Sequence, residues 1–185
     1  GVDLKLFKPE ELHRRIGAIF QDYVHYQVPL RENIAFGSVE NLEDLDRMLA
    51  AAKQSGAAEV AESLPEKYEA KLGRWFEDGH ELSGGQWQKV ALGRAFVGDG
   101  EVLILDEPTA SLDAGAEYEI FQRFRELTGG RIALLVSHRF STVRMADRIV
   151  VLKGGRIEES GTHAELLARG GTYARLFELQ AQGYR

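Results

Sequence analysis

Glu101-Val-Leu-Ile-Leu-Asp-Glu107 is the segment most informative about the fold class of this chain. The run follows Gly100 and holds four consecutive apolar residues that end at a pair of carboxylates, a pattern typical of a strand buried on both faces. Arg131-Ile-Ala-Leu-Leu-Val-Ser137 repeats this pattern. Aromatic and apolar residues at helical spacing over 114–127 predict a helix between the two strands. The order strand, helix, strand is the crossover unit of a parallel sheet, so the sequence predicts an α/β fold.

Other segments extend this prediction toward both ends of the chain. Ile16-Gly-Ala-Ile-Phe20 predicts another buried strand, behind a short helix that Pro9 would begin. Toward the end of the chain, Gly154-Gly155 stands between two strand-like segments and indicates a β-hairpin. Two helices are predicted after the hairpin, one beginning at Thr162 and one at Thr172.

The segment 42–64 differs from the rest in composition, because it is rich in Ala, Glu, Asp and Leu and shows no strand pattern. It predicts a small helical subdomain inserted into the α/β domain. We therefore expect three parts: a partial α/β core over 1–36, a helical subdomain over 37–98, and the remainder of the α/β core over 99–185.

Composition excludes several classes of protein. The chain has 185 residues, 44% of them hydrophobic, which is ordinary for a globular domain with one sizeable core. Its net charge of -6 argues against a dedicated nucleic-acid or anionic-membrane surface. Without cysteine, the chain can form no disulfide, iron–sulfur cluster or Cys-ligated zinc site. No apolar run approaches the length of a membrane span.

Two carboxylates, Asp106 and Glu107, stand at the carboxyl end of the predicted central strand, where α/β sheets bind ligands. One carboxylate there can hold Mg²⁺, and its neighbour can orient or deprotonate a water molecule. The alternative is that the two acidic residues and Pro108 simply end a strand. For an acidic pair considered alone, this alternative is the more common one.

Leu82-Ser-Gly-Gly-Gln86 stands before a helical pattern that runs from Trp87 to Phe96. Ser83 and Gln86 have the spacing of a capping box, which would satisfy the first amides of that helix. The two glycines are unusual for helix entry, yet they expose backbone N–H groups that suit a phosphate oxygen. From these residues alone, a helix cap and an anion site are equally supported.

Taken in order, these motifs resemble the nucleotide-binding domain of ATP-binding cassette (ABC) proteins. Leu82–Gln86 matches the signature motif, Val102–Glu107 the Walker B motif, Ser111-Leu-Asp113 the D-loop, and Ser137-His138 the switch histidine. The resemblance implies a P-loop NTPase-like parallel sheet flanked by helices, with an inserted helical subdomain that carries the signature motif.

Further segments resemble ABC exporters in particular. Phe20-Gln21-Asp22 looks like the Q-loop, and three more segments match exporter patterns: Arg31–Ile34, Gly73–Gly79 and Gly161–Glu165. Trp87 stands where exporters more often carry a basic or polar residue, and we expect no mechanistic role for it.

The resemblance implies a role for each catalytic candidate. Asp106 would hold the Mg²⁺ shell, and Glu107 would polarise the attacking water. His138 would bind the γ-phosphate of ATP, and Gln21 would touch the metal or the water while it reports to the membrane domain. The remaining histidines receive no such role, and we expect them at the surface or in loops: His13, His25, His80 and His163.

The same resemblance implies a second nucleotide-binding domain as a partner, in a homodimer or a heterodimer. The signature residues of one domain would then act on ATP held by the other. The residues expected to act across that interface are Ser83, Gly84, Gly85, Gln86 and Asp113. The implied function is ATP hydrolysis that powers an exporter through nucleotide-driven dimerisation, at the cytoplasmic face of the cell membrane. Transmembrane domains would be further partners, and nucleic acid would not.

A Walker A loop, G-x-x-x-x-G-K-[ST], is needed to cradle the phosphates. These 185 residues contain no Gly-Lys pair. We therefore expect a domain truncated at its N-terminus, with apolar sheet edges exposed. In isolation, this chain would be inactive as an ATPase.

Two other functions are alternatives to the exporter ATPase. A DNA-maintenance ATPase of the same superfamily would insert a long coiled coil between Q-loop and signature, whereas Gln21 and Leu82 are only 61 positions apart. A non-enzymatic remnant that offers only its signature face to a partner remains open for the 185-residue chain.

Overall fold

A three-stranded parallel sheet forms where the sequence has its three apolar runs, in the order β1-β2-β3. The strands are β1, Ile16–Ile19; β2, Val102–Asp106; and β3, Ile132–Val136. Ile19 pairs with Leu105, and Asp106 pairs with Val136. The carboxyl ends of the three strands therefore lie along one edge of the sheet. This arrangement confirms the predicted α/β fold with a parallel sheet.

The computed structural model describes residues 2–75, 77–98, 100–107 and 130–183. The helix predicted over 114–127 lies outside these described residues. The chain divides into two compact units, Gly1–Val136 and Ser137–Arg185, which are described separately below.

The prediction of burial on both faces is wrong for β3, and in β2 one face is buried while the other is half-buried. Leu103 and Leu105 of β2 are buried, because β2 is the central strand. In β3, Ile132, Leu134 and Val136 are exposed by 69%, 55% and 48%. β3 is an outer strand of the sheet, because within the described part of the chain it pairs with β2 alone. An apolar sheet edge is therefore exposed, as expected.

The helices of the first unit form an apolar cluster, and some of them also contact β1. Their bounds are α1, Pro9–Arg15; α2, Leu30–Ala35; α3, Leu45–Ser55; α4, Ala57–Glu62; and α5, Gly84–Phe96. Short 3₁₀ turns occur at Leu4–Leu6, Val39–Asn41 and Lys67–Glu69. α5 contacts α2, α3, α4 and β1, so it is the element around which the helical part of this unit packs. The buried side chains of this cluster include Leu30, Ile34, Met48, Val60, Val90 and Leu92.

The second unit is built on the predicted hairpin. Its strands β4, Ile149–Lys153, and β5, Arg156–Gly161, pair antiparallel. Gly154 and Gly155 have φ of 57° and 73°, the left-handed values that a two-residue hairpin turn requires. The unit's helices are α6, Phe140–Val143; α7, His163–Arg169; and α8, Thr172–Gly183.

The predicted start of α7 is also confirmed. Thr162 and Glu165 exchange both hydrogen bonds of a capping box. Ile149, Leu166 and Tyr173 form the buried centre of this unit. Among the residues that the structure describes, no helix is both long enough and apolar enough to span a bilayer.

Candidate functional site

Asp106 and Glu107 lie at the carboxyl end of β2, and both are half-buried. Glu107 adopts φ of +47°, while its backbone N–H donates to the carbonyl oxygen of Val136 at 2.9 Å. A left-handed conformation costs a residue with a side chain about 1 kcal/mol or more. Strain of this kind persists where the surrounding structure over-determines it, often at functional sites.

Gln21 belongs to the same edge of the sheet. It follows the end of β1 by two residues, and β1 is the parallel neighbour of β2. Because parallel strands end at a common edge, the topology brings exposed Gln21 to the edge that carries Asp106 and Glu107. Three of the predicted site residues are therefore placed at one edge of one sheet.

The side chains at this edge fit one kind of metal site better than another. The described residues contain no group of three or more His, Cys, Asp or Glu side chains that could hold a metal ion. A site built from protein ligands alone is therefore not supported there. Mg²⁺, however, usually binds through one or two carboxylates together with substrate phosphates and water. The carboxylate of Asp106 fits that second arrangement.

The signature segment forms the start of α5, where the capping box predicted from Ser83 and Gln86 is present. Gln86 N donates to Ser83 Oγ at 3.3 Å, and Ser83 N donates to Gln86 Oε1 at 2.9 Å. The box uses the amides of Ser83 and Gln86 and not those of Gly84 and Gly85. Because a hydroxyl that accepts a hydrogen bond can still donate one, capping and anion binding are compatible here.

Residues of the Q-loop segment, 20–29, lie against the start of α5. The Tyr23 hydroxyl donates to the carbonyl oxygen of Gly84 at 3.4 Å. The His25 ring stacks on the Trp87 indole with centroids 4.3 Å apart and planes 2° from parallel. Trp87 is only 2% exposed. Trp87, for which we expected no role, therefore forms part of the connection between the Q-loop segment and the signature helix.

Arg94 makes a second connection between the same two elements. Its guanidinium donates to the carbonyl oxygens of Val24 and Asn33 at 3.1 and 3.0 Å, and to Asn33 Oδ1 at 3.2 Å. It also lies over the Tyr26 ring, 4.6 Å from the centroid. Burial lowers the pKa of Arg94, but arginine stays charged in proteins.

Asn33 completes this connection from inside the protein. It is fully buried, and its Nδ2 donates to the carbonyl oxygens of Tyr26 and Val28 at 2.9 and 3.1 Å. Sequence reasoning missed Arg94 and Asn33 as site residues. The sequence offered one indication of this role: Arg94 is a cation among the apolar residues of the helical pattern that forms α5.

Two further predicted site residues are His138 and Asp113. His138 is exposed and belongs to the second unit, two residues after the end of β3. Asp113 lies outside the described residues. Of the other histidines, His13 and His25 are exposed, and half-buried His80 contacts Glu66 at 3.1 Å. The surface expectation is wrong for His163, because its Nδ1 lies 2.7 Å from the Tyr173 hydroxyl inside an aromatic cluster.

The chain matches a known family model and is similar in sequence to known proteins. Residues 1–110 match the family model described as ABC transporter. The chain is 37% identical over 178 residues to the subtilin transport ATP-binding protein SpaT of Bacillus subtilis, covering 96% of this chain and 29% of that protein. It is 41% identical over 181 residues to the cyclolysin secretion/processing ATP-binding protein CyaB of Bordetella pertussis, covering 98% and 25%.

A solved structure shares the fold. The structure of a bacterial Atm1-family ABC exporter with ATP bound superposes with a TM-score of 0.81 at 35% sequence identity, over 91% of this chain and 28% of that chain. The chain thus spans 25 to 29% of the length of these relatives. The matched family model covers more than half of the chain and includes the Q-loop, signature and Walker B segments. The chain belongs to the ABC transporter family, and its fold is that of an exporter ATP-binding domain.

Proposed function

We propose that this chain is the signature-bearing and Walker B-bearing part of a domain that hydrolyses ATP to drive export. The observation that carries the proposal is that Gln21, Asp106 and Glu107 lie at or just after the carboxyl ends of two adjacent parallel strands. The linkage of the Q-loop segment to the signature helix through Arg94 and Trp87 supports it further.

Each residue at the sheet edge has one task in this proposal. Asp106 would hold Mg²⁺, which neutralises phosphate charge when it is bound with the nucleotide. Glu107 takes the proton of the attacking water as general base, and Gln21 orients that water or a metal-bound one. His138 donates a hydrogen bond to the γ-phosphate.

The signature residues act on nucleotide bound by a second domain. Ser83 donates a hydrogen bond from its hydroxyl, and the amides of Gly84 and Gly85 offer N–H groups at the positive end of the α5 dipole. Gln86 holds Ser83 in place through the capping box. Asp113 lies on the same interface in this proposal. The partner is a second nucleotide-binding domain, identical or related.

These 185 residues contain no Walker A motif, so in this proposal the phosphate cradle is supplied from outside them. We infer that the isolated chain binds MgATP weakly and does not hydrolyse it. The alternative is a non-enzymatic chain that presents its signature face to a complete partner. Both proposals divide the chain into core residues 1–36, helical subdomain 37–98 and core residues 99–185.

Transmembrane domains are the second class of partner, and they place the domain at the cytoplasmic face of the membrane. The Q-loop segment offers a surface for them. Phe20 and Val24 are 64% and 54% exposed, and Trp75 is 82% exposed. Gln27 Oε1 accepts from the backbone N of Trp75 at 2.9 Å, so this exposed indole is attached to the Q-loop segment. Exposed apolar side chains on and beside the Q-loop segment would serve such an interaction surface.

The test is ATP turnover by the complete protein, including any segment outside these 185 residues, with Glu107→Gln as the variant. The glutamine keeps the size of the side chain and removes the base, so turnover should fall by at least about 10²-fold while ATP binding persists. Glu77→Gln is the matched control, because Glu77 is exposed in a loop. Near wild-type turnover by the Glu107→Gln variant would show that Glu107 is not the base.

A further inference from the structure

The last helix contacts the backbone on both sides of the residue that follows the candidate switch histidine. The Phe140 amide donates to Gln180 Oε1 at 3.0 Å, and Gln180 Nε2 donates to the His138 carbonyl oxygen at 3.3 Å. These partners fix the orientation of the side-chain amide, because its oxygen meets a donor and its nitrogen meets an acceptor. One side chain of α8 therefore spans the backbone from His138 to Phe140.

The Phe140 ring is held by the same face of α8. Its centroid lies 5.3 Å from that of Tyr173 and 5.4 Å from that of Phe177, with interplanar angles of 68° and 89°. Both are edge-on contacts, which aromatic rings favour. Tyr173, Phe177 and Gln180 follow the i, i+4, i+7 spacing of one helical face. Three residues on one stripe of α8 thus hold the segment that follows His138.

α8 is itself anchored at its start. The Glu159 carboxylate accepts hydrogen bonds from the backbone N of Thr172 and of Tyr173, each at 2.9 Å. A carboxylate at a helix N-terminus is favoured both as an acceptor and by the helix dipole. Tyr173 is 3% exposed and belongs to the buried centre of the unit. The stripe that ends at Gln180 therefore has a defined position relative to the hairpin.

We propose that Gln180 is a positioning residue for His138, so that α8 sets the place from which the imidazole reaches the γ-phosphate. The inference rests on the function proposed above. The His138 side chain is exposed, and the backbone of the segment that carries it is bound to Gln180. Catalytic groups must be held within a fraction of an ångström, and hydrogen bonds to the His138 carbonyl and from the amide two residues later supply such restraint.

A merely structural role for Gln180 would anchor the end of α8 without affecting His138. The two roles differ in what depends on the histidine. If Gln180 acts through His138, its substitution costs turnover only while the imidazole is present. If Gln180 only stabilises the unit, its substitution costs the same in a His138→Ala background.

The first measurement is hydrogen exchange in the complete protein, followed by mass spectrometry of peptides that cover residues 138–142. Gln180→Met keeps the length of the side chain and removes both hydrogen bonds, so exchange of the Phe140 amide should rise roughly fivefold or more. Gln180→Glu keeps an acceptor for that amide and should leave it protected. Gln182→Met, at an exposed position of the same helix, is the control and should change nothing. Unchanged exchange in Gln180→Met would overturn the inference.

The second measurement is steady-state ATP hydrolysis by the same variants. Gln180→Met and Gln180→Glu should both lower kcat about tenfold with little change in KM, because both lose the bond to the His138 carbonyl. In the His138→Ala background, neither substitution should lower kcat further. An equal tenfold loss in that background overturns the inference while the proposed function stands. Wild-type turnover by His138→Ala alone contradicts the proposed role of His138 and removes the inference with it.

Discussion

The imidazole of His25 lies flat on the indole of Trp87, with the ring planes only 2° from parallel. The contact joins the Q-loop segment to the fourth residue of the signature helix, α5. The two residues are 62 positions apart in the chain. Partial burial of its ring against the protein lowers the pKa of His25 although the residue as a whole is exposed; Glu81 opposes this shift, and the charge of Arg94 adds to it. The neutral imidazole is therefore the form that the folded protein favours.

The stack should weaken in acid. The unfolded state binds the proton first, at the ordinary histidine pKa of 6.5, so stability contributed by neutral His25 is complete above that pH. It is lost as the pH falls from 6.5 through the lowered folded-state pKa. NMR titration should find His25 below 6.5, and Trp87→Leu should return it toward that value. His13, exposed on α1, is the control. A His25 that titrates at or above 6.5 in the wild-type protein contradicts the assignment.

Arg94→Lys should loosen the Q-loop segment. Lysine keeps the charge but cannot reproduce three guanidinium hydrogen bonds to Val24 and Asn33, so we expect a loss of about 1 to 3 kcal/mol of stability. Hydrogen exchange over residues 23–28 should rise with it. The control is Arg14→Lys, since Arg14 makes an exposed ion pair with Glu40. Equal losses of stability for the two substitutions would mean that the Arg94 guanidinium hydrogen bonds contribute no more than an exposed ion pair does.

Gly37→Ala should destabilise the first unit far more than Gly98→Ala. A Cβ at Gly37 would lie 1.7 Å from the carbonyl oxygen of Arg94, and backbone cannot yield to it cheaply. The nearest atom to a Cβ at Gly98 is 3.6 Å away, an ordinary contact. Thermal unfolding should show a loss of at least about 2 kcal/mol for Gly37→Ala. Similar melting temperatures for the two variants would show that Gly37 does not lie this close to the Arg94 carbonyl oxygen.

The left-handed backbone of Glu107 gives a prediction on stability alone. Glu107→Gly and Glu107→Ala both remove the carboxylate, but only glycine adopts φ of +47° without strain. The glycine variant should therefore be more stable than the alanine variant by about 1 kcal/mol, as chemical denaturation would show. Both should lack turnover. An alanine variant as stable as the glycine variant would exclude backbone strain at this position.

The role of the signature in a second domain can be tested by complementation. Ser83→Arg damages the signature that one copy offers, while Glu107→Gln removes the base from the nucleotide site of the other. Each variant alone should be inactive. In a mixed dimer, the intact base of the Ser83→Arg copy faces the intact signature of the Glu107→Gln copy. The mixture should recover turnover, measured as phosphate release. A mixture as inactive as its components would argue against a shared site.

Local patterns predicted the elements well, because the signals lie within a few residues of the structures they specify. The capping boxes at Ser83 and Thr162 and the glycine turn between β4 and β5 are of this kind. The exposure of β3 was missed, because its composition does not reveal that the strand lies at an edge. Sequence order identified the candidate site through family motifs rather than through geometry.

The contacts that organise the site could not be predicted in this way. Arg94 and Asn33 are 61 positions apart, and Gln180 lies 42 positions from His138. Nothing in the local pattern distinguishes Asn33 from an exposed helical residue, or Gln180 from Gln182. Such partners are chosen by tertiary packing, which a single sequence does not display.

The hydrogen bonds of Arg94 also bear on how the first unit moves. They join α5 to carbonyl oxygens of the Q-loop segment and of α2, so these elements should not relax separately. Relaxation-dispersion experiments on residues 24–28 and 87–94 should then yield one common exchange rate in the microsecond-to-millisecond range. A displacement of residues 24–28 would then reach α5 within a single kinetic step rather than through a relay of independent motions.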